Sequence, residues 1–421
     1  MDDRSHPRIL LIGTGDTKAG ELLFIRKWIE EAEAETVMMD VSVLGDPPYE
    51  AQHDKHAVAA AADTTIDAII ASGDENSSMT LMALGASQLT KRLCDAGQVD
   101  GMIAIGGTMG TDLALDVARA LPLGFPKLVV STIAFSHLIP PERIAADLMM
   151  ILWAGGLYGL NGTCKSVLSQ ACGAIVGASR SAIRPRFDRP VVAITSLGKS
   201  CLKYMVELKP AIEARGYEVV VFHTTGMGGR AMESIAAQRG FAAVLDLSLQ
   251  EVANQLMGSV VNSGSDRLVN AGQAGIPQIV APGAIDMVDF PAWSPVPIDL
   301  ADRPVHAHNR LLASATSLPD DRRRIARAIA DKLAASKAPV AFVLPSGGIQ
   351  EWDHAGEPLH DPEGLNAFIE EICAAIRPPT ELHQIEDHIN DQGFIEKVLA
   401  IFDAWVANGI VAAGKVPAEP A

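Results

Sequence analysis

Short apolar runs without polar alternation recur along the chain, separated by glycine-rich turns and amphipathic stretches. Residues 8–12 form one such run, followed by the turn GTGDTKAG and an amphipathic stretch over 21–33. Runs at 36–39, 67–71, 100–105 and 127–132 repeat the pattern, and GGTMGT with a helical stretch over 112–121 follows the run at 100–105. Uniformly apolar strands joined by helices predict a parallel sheet covered on both faces.

The rhythm breaks between 140 and 178, which reads as mostly helical and poor in charge. Its most apolar part, 145–160, contains Asp147 and several glycines and is shorter than the roughly 20 residues of a spanning helix. It predicts a buried helix. The segment RPRFDRP at 184–190 reads as a linker. Strand candidates then resume at 191–195, 218–222, 242–247 and 277–281, with the last at 340–344, and a helix at 205–215. Residues 385–413 predict one helix, broken near Gly393, and the tail GKVPAEPA predicts disorder. The fold class expected is α/β, two Rossmann-like subdomains, each a mainly parallel sheet with helices on both faces. Their expected limits are 1–183 and 191–380, with a C-terminal helix and tail over 381–421.

Composition narrows the function classes. The 421 residues carry 34 Lys+Arg against 51 Asp+Glu, a formal charge of -17, which excludes a general nucleic-acid coat and leaves room for a local anion pocket. The five cysteines show no CxxC spacing, so neither a disulfide scaffold nor a zinc ribbon is expected, and a reducing cytoplasm fits. The charged start MDDRSHPR is no secretory signal. No membrane partner is expected, and the apolar surface of two adjacent doubly wound units predicts a homodimer or higher homo-oligomer.

Three glycine-rich turns carry the candidate chemistry. In open parallel sheets ligands sit beyond the carboxyl ends of strands, where helix N-termini offer free N–H groups. The first turn contains Gly13, Thr14, Asp16, Thr17 and Lys18; it lacks both the Walker spacing and GxGxxG, which argues against a dinucleotide site. The second places Thr108 and Thr111 among Gly106, Gly107 and Gly110, a cradle for phosphate oxygens. Both are expected to open on one crevice. The third, TTGMGGR, brings Gly228, Gly229 and Arg230 to a helix start, and Arg267 adds a second guanidinium for an anionic group.

These segments, together with DRLVNAGQAGIPQIVAPGAIDMVDF, HAHNRL and LPSGGIQEWDHAGEPLHDPEGLNAF, resemble the ATP-binding family named after the N-terminal domain of the tomato mosaic virus resistance protein, which includes many bacterial members. The resemblance covers most of residues 8–376. It implies ATP, with Mg as its companion, in the N-terminal subdomain, bound through Gly13, Thr14, Asp16, Thr17 and Lys18, with Gly106, Gly107, Thr108 and Thr111 lining the phosphates.

Further polar residues suggest chemistry in the second half. His223 ends a strand, a position suited to a general base. His306 and His308, two apart, would share one face of a strand as two ligands of one metal must, with Asp286 or Asp289 as a carboxylate partner. Alternatively His308 and Asn309 hydrogen-bond a substrate. Cys201 follows a strand where a helix N-terminus would lower a thiol pKa. His223, His308 and Asp286 are the catalytic candidates. The expected function is a nucleotide-binding protein that acts on, or senses, a small anionic metabolite between the halves. The alternatives are a non-catalytic ATP-binding interaction module and a metal-assisted enzyme working on an acidic metabolite without ATP.

Overall fold

The computed structural model describes residues 6–415, so most of the tail read as disordered lies outside the described residues. The chain divides into two compact units between Pro185 and Arg186.

The first unit is built on strands β1 (Arg8–Gly13), β2 (Glu35–Asp40), β3 (Gly101–Gly106), β4 (Lys127–Ser131) and β5 (Met149–Leu152). All neighbours run parallel, in the order β2-β1-β3-β4-β5. Alternate residues of one strand enter opposite cores. Leu10, Ile12, Met102 and Ala104 pack with Met82, Ala86, Leu113 and Val117 on one face. Ile9, Leu11, Ile103 and Ile105 pack with Leu22, Ile25, Leu168 and Ile175 on the other. Burial on both faces is why these strands read as continuous apolar runs.

Two elements differ from the sequence reading. Residues 67–71, expected as a strand, lie in a helix, Ile66–Ala71, capped by the Thr65 hydroxyl, which accepts from the Ala68 amide. Ile66 and Ile69 are buried while Ile70 is 40% exposed, a helical spacing that five residues were too few to reveal. The predicted buried helix at 145–160 is instead a turn, the edge strand β5 and a loop in which Gly156 and Gly159 adopt φ of 81° and 94°. Asp147 holds the chain there: it meets the buried Lys127 ammonium at 2.8 Å and accepts from the Gly124 amide at 2.7 Å.

The second unit has six parallel strands: β6 (Val191–Ser196), β7 (Glu218–His223), β8 (Ala243–Ser248), β9 (Gln278–Gly283), β13 (Val340–Pro345) and β14 (Glu381–Ile385). Their order is β14-β13-β9-β8-β6-β7. Between β9 and β13 lies an antiparallel ribbon the apolar pattern did not disclose: β10 (Met287–Pro291), β11 (Val305–Ala307) and β12 (Leu312–Thr316), in the order β10-β12-β11. Val340–Pro345 is not the last strand. Glu381–Ile385 adds an edge to it, and the half-polar sequence ELHQI concealed this strand. The C-terminal helix accordingly spans Gln392–Ala407, not 385–413, and Gly393 sits in its first turn, not at a break. A side chain on Gly393 would lie 2.2 Å from the Asp387 carboxylate.

In the first unit the helix Glu75–Asp95 crosses the helix Lys55–Ala61 closely at Gly85, where a Cβ would come within 2.0 Å of the Val58 carbonyl oxygen. Backbone cannot yield as a flexible side chain does. Gly85→Ala is therefore expected to destabilise the protein by roughly 1–3 kcal/mol, read as a lower denaturant midpoint at unchanged slope.

Candidate functional site

In both sheets the second strand lies on one side of the first and the third strand on the other. Loops after the first and third strands therefore part, and a crevice opens between them. In the first unit these loops follow β1 and β3. They border one cleft of about 920 Å3, lined by Thr14, Asp16, Thr17 and Lys18 from one side and Gly106, Gly107 and Thr108 from the other. Val41, Val43 and Ile70 give it an apolar wall.

The two helix starts at this cleft differ. After β1 the helix Gly15–Glu31 begins against the end of β2. Buried Asp40 accepts from the Gly15 amide (2.9 Å) and from the Ser42 amide and hydroxyl (3.1 and 2.6 Å), while Ser42 accepts from the Asp16 amide (3.1 Å). The first amides of this helix are thus consumed by the protein. A Cβ at Gly15 would strike Pro47 and the Tyr49 hydroxyl at 2.6 Å. After β3 the helix Thr108–Ala120 has no side-chain cap, and among the described residues the amides of Thr108, Met109 and Gly110 donate to no acceptor. Lys18 Nζ lies 3.4 Å from the Leu157 carbonyl oxygen and 5.7 Å from the Tyr158 ring centre. Asp16 accepts from the Gly45 amide through Oδ2, and its Oδ1 is buried without a partner.

Two residues expected at the ligand stand behind the loops. Gly13 packs on Leu22, where a Cβ would lie 2.8 Å from a methyl carbon. Thr111 is fully buried, its hydroxyl shared with Ser131 (2.7 Å) and the Gly106 carbonyl (3.4 Å), so it braces the glycine loop. The sequence reading missed Asp40 and Ser42, although an acidic residue closing the second strand is a signal available from sequence.

In the second unit the predicted anion site is already filled from within. The amides of Gly226 and Gly229 donate to Glu251 Oε1 at 2.7 and 3.1 Å. Arg230, 2% exposed, gives Nη1 to both oxygens of Asp266. Arg267, 1% exposed, binds both oxygens of Asp246 and the Glu251 carboxylate at 2.8 Å, and Glu233 lies 3.5 Å away. Gly228 is required because a Cβ would overlap the His223 carbonyl oxygen at 1.8 Å. Arg267 has all three nitrogens engaged, whereas Arg230 is held by Asp266 through Nη1 and its buried Nε has no partner among the described residues. Sequence shows a positive charge and not the carboxylates folding brings to it. Glu233, wholly buried, has its pKa pushed up to about 7 by desolvation, which Arg267 opposes.

The remaining candidates separate. Cys201 is fully buried, and desolvation holds its thiol well above the ordinary range, so it is no nucleophile. His223 stands exposed at the end of β7 with Nδ1 3.3 Å from the Gly198 amide, and desolvation lowers its pKa. Asn309 closes the β11–β12 turn, accepting from the amides of Leu311 (2.7 Å) and Leu312 (3.1 Å), a task other than substrate contact. His306 and His308 lie with ring centres 4.6 Å apart, both against Trp352. Asp289 is buried beneath them and already accepts from Gln250 (2.6 Å), Asn254 (3.1 Å) and the Ser314 hydroxyl. Because Ser314 donates to Asp289, its oxygen accepts from His308 Nε2–H at 2.8 Å, which leaves Nδ1 of His308 with the lone pair. Among the described residues no three His, Cys, Asp or Glu side chains are grouped to hold a metal, so the imidazole pair has no completed ligand set. Burial, then His306, lowers the His308 pKa to about 4. Asp286 lies apart from them, buried at the end of β9, with Oδ2 3.2 Å from Gln350 Nε2 and Oδ1 unpartnered.

Comparison with known proteins agrees with the two-part architecture. The N-terminal domain of the Uncharacterised protein family (UPF0261) matches residues 7–184, and the C-terminal domain of the same family matches 189–406. The chain belongs to the UPF0261 family. A UPF0261 protein of Brucella melitensis biotype 1 is 61% identical over 410 residues, covering 97% of this chain and 98% of the relative. A UPF0261 protein of Clostridium tetani is 32% identical over 389 residues, covering 92% and 96%. The ToMV resistance protein Tm-1(GCR237) of Solanum lycopersicum is 26% identical over 423 residues, covering 94% of this chain and 55% of the tomato protein. A solved structure of Acinetobacter baumannii MurG aligns over 96% of this chain and 92% of its own at 12% identity, and its TM-score of 0.20 carries no argument. No described helix is long and apolar enough to cross a membrane.

Two outcomes follow from the buried charges. Arg267→Ala strands Asp246, Glu251 and Glu233 without their countercharge and is expected to cost at least about 3–5 kcal/mol, measured by chemical denaturation. Burial raises the Asp286 pKa from 3.8 to about 6, against the opposing field of Arg322. Ionised Asp286 is therefore the costly form: its penalty is absent below 3.8 and complete above about 6. Asp286→Asn removes that penalty. The variant should gain stability relative to the unsubstituted protein between about pH 4 and about pH 8, by on the order of 3 kcal/mol. An equal difference at both pH values would show an Asp286 of ordinary acidity.

Proposed function

We propose that this UPF0261 protein binds the phosphates of a nucleotide, ATP, in the cleft of its first unit. The observation that supports the reading is the uncapped start of the helix Thr108–Ala120, whose first three amides have no protein acceptor and border the cleft. Free amides at a helix N-terminus favour an anion by hydrogen bonding and by the helix dipole. Lys18, across the cleft from them, supplies the full positive charge, and Thr108 a hydroxyl. The wall of Val41, Val43 and Ile70 suits a base, while the volume of about 920 Å3 falls in the range of small-molecule sites. The resemblance to an ATP-binding family points the same way.

Magnesium fits this arrangement through Asp16. Mg2+ takes one or two protein carboxylates and completes its shell with phosphate oxygens and water, and Asp16 lines the cleft with its buried Oδ1 unpartnered among the described residues. Bound there, the ion would neutralise phosphate charge. The chain's own groups would hold and orient the phosphates: the three amides and Lys18 from two sides, Thr14 and Thr17 as a hydroxyl pair 2.9 Å apart.

Gly107 offers a clean test. A Cβ there meets only the Thr132 hydroxyl, at an ordinary 3.9 Å, so Gly107→Val should fold normally while its methyls enter the cleft. Calorimetric titration with MgATP is expected to show one site per chain. Affinity should fall at least tenfold in Lys18→Ala and be lost in Gly107→Val, with both melting temperatures unchanged. Absence of MgATP binding by the unsubstituted chain, or full binding by Gly107→Val, removes the proposal.

A further inference from the structure

A second, smaller cavity lies within the second unit, away from its predicted anion site. It measures about 120 Å3 and is bordered by Asp286, beyond β9, and by Ser346 and Gly347, beyond β13. It therefore sits at the carboxyl ends of two parallel strands, where α/β sheets place ligands. Arg322 of the helix Pro319–Ala334, Asp353, His360, Asp361 and Asn366 supply the rest of the polar lining.

The hydrogen bonds show which of these groups are spoken for. Asp353 has both oxygens engaged, Oδ1 with His388 Nε2 (2.9 Å) and Oδ2 with the Ile349 amide (2.7 Å). Asp361 accepts from the Gly364 amide (3.0 Å) as a helix cap and from Arg322 Nη2 (2.6 Å). Asp286 is the exception among the three carboxylates. It is 1% exposed, and its Oδ1 accepts nothing from the protein. Arg322, also 1% exposed, uses Nη2 on Asp361 and Nε on the Ser317 carbonyl (3.3 Å), and among the described residues no hydrogen bond occupies Nη1. His360 donates Nδ1–H to the Asp353 carbonyl at 2.7 Å, which leaves Nε2 as an acceptor.

The buried Asp286 carboxylate and the buried Arg322 guanidinium thus border one cavity and form no ion pair with each other among the described residues, Arg322 being paired with Asp361 through Nη2 alone. Folding alone gains nothing from this. Paired charges would be cheaper, and an uncharged side chain in place of Asp286 cheaper still. Buried unsatisfied groups of this kind call for a partner from outside the chain. That partner must accept from Arg322 and donate to Asp286. A carboxylate suits the planar guanidinium edge, and hydroxyls on the same molecule suit Asp286 and His360, one proton to each acceptor. The size limit is strict, since a cavity of about 150 Å3 holds a benzene-sized molecule.

We propose that this cavity is a binding site for a compact hydroxycarboxylic acid, its carboxylate on Arg322 Nη1 and its hydroxyl donating to Asp286 Oδ1. The site is independent of the nucleotide cleft of the first unit. The glycines of the SGG segment serve it by letting the loop pack closely: a Cβ at Gly347 would lie 2.7 Å from the Glu386 carbonyl oxygen, and Gly348 has φ of 140° with Asp353 and His388 against it.

The test is calorimetric titration of the full chain with glycerate, with propionate and glycerol as probes lacking the hydroxyl or the carboxylate. Saturable binding of one glycerate per chain is expected, at least tenfold tighter than either comparison probe. Asp286→Asn, which keeps an acceptor for Gln350, should weaken glycerate at least tenfold. No saturable binding of glycerate, equal binding of glycerol or propionate, or undiminished binding in folded Asp286→Asn overturns the proposal. Should the variant not fold, crystals of the unsubstituted protein soaked in glycerate decide. Density bridging Asp286 and Arg322 supports the site, and density elsewhere or none overturns it.

Discussion

Each buried strand of a parallel sheet ends in amides and carbonyls that need partners, and the helix that follows adds four more amides with no partner within it. How those groups are satisfied governs this molecule. Both sheets place the second and third strands on opposite sides of the first. In both, the loops after the first and third strands diverge, and something must occupy the space and answer the polar groups that face it.

The two units solve this differently. In the second, the chain supplies its own acceptors. Glu251, in the first turn of the helix after the third strand β8, takes the amides of Gly226 and Gly229 from the turn after the second strand β7, while Thr195, Asp246 and Ser248 bond across the ends of β6 and β8. Arg267 then balances the carboxylates collected there. In the first unit Asp40 and Ser42 answer the helix after β1, but among the described residues no acceptor answers the first amides of the helix after β3. An intramolecular anion rigidifies one site. The open helix start across the cleft from Lys18 is what the anion site proposed for the first unit rests on.

The same accounting separates candidate residues that look alike in sequence. Arg267 and Arg322 are both buried arginines, yet the first is saturated by carboxylates while the third nitrogen of the second, Nη1, has no partner among the described residues and Arg322 borders a cavity together with Asp286, whose Oδ1 is unpartnered. Asp353, Asp361 and Asp286 border that cavity together, and only the hydrogen bonds to Ile349, His388 and Gly364 tell the structural pair from the available one. Such differences lie in partners drawn from residues up to 64 positions away, as for Gln350 and Asp286.

The strands buried on both faces were legible in the residues themselves, because such a strand has no polar side to interrupt its apolar run: β1, β3, β4, β6 and β8 stand close to where the pattern puts them. The glycine turns after β1 and β3 were equally legible, since close approach demands glycine at Gly15, against Pro47 and Tyr49, and at Gly106, against the Gly110 backbone. Where burial was one-sided or brief, the signal failed. The edge strands β5 and β14, the ribbon β10–β12 and the short helix Ile66–Ala71 take their identity from neighbours and not from their own periodicity. Which loops share a cleft, and which charges are already paired, was decided by strand order and long-range contact alone. A residue's chemistry is local, but its freedom to act depends on whether folding has already given it a partner.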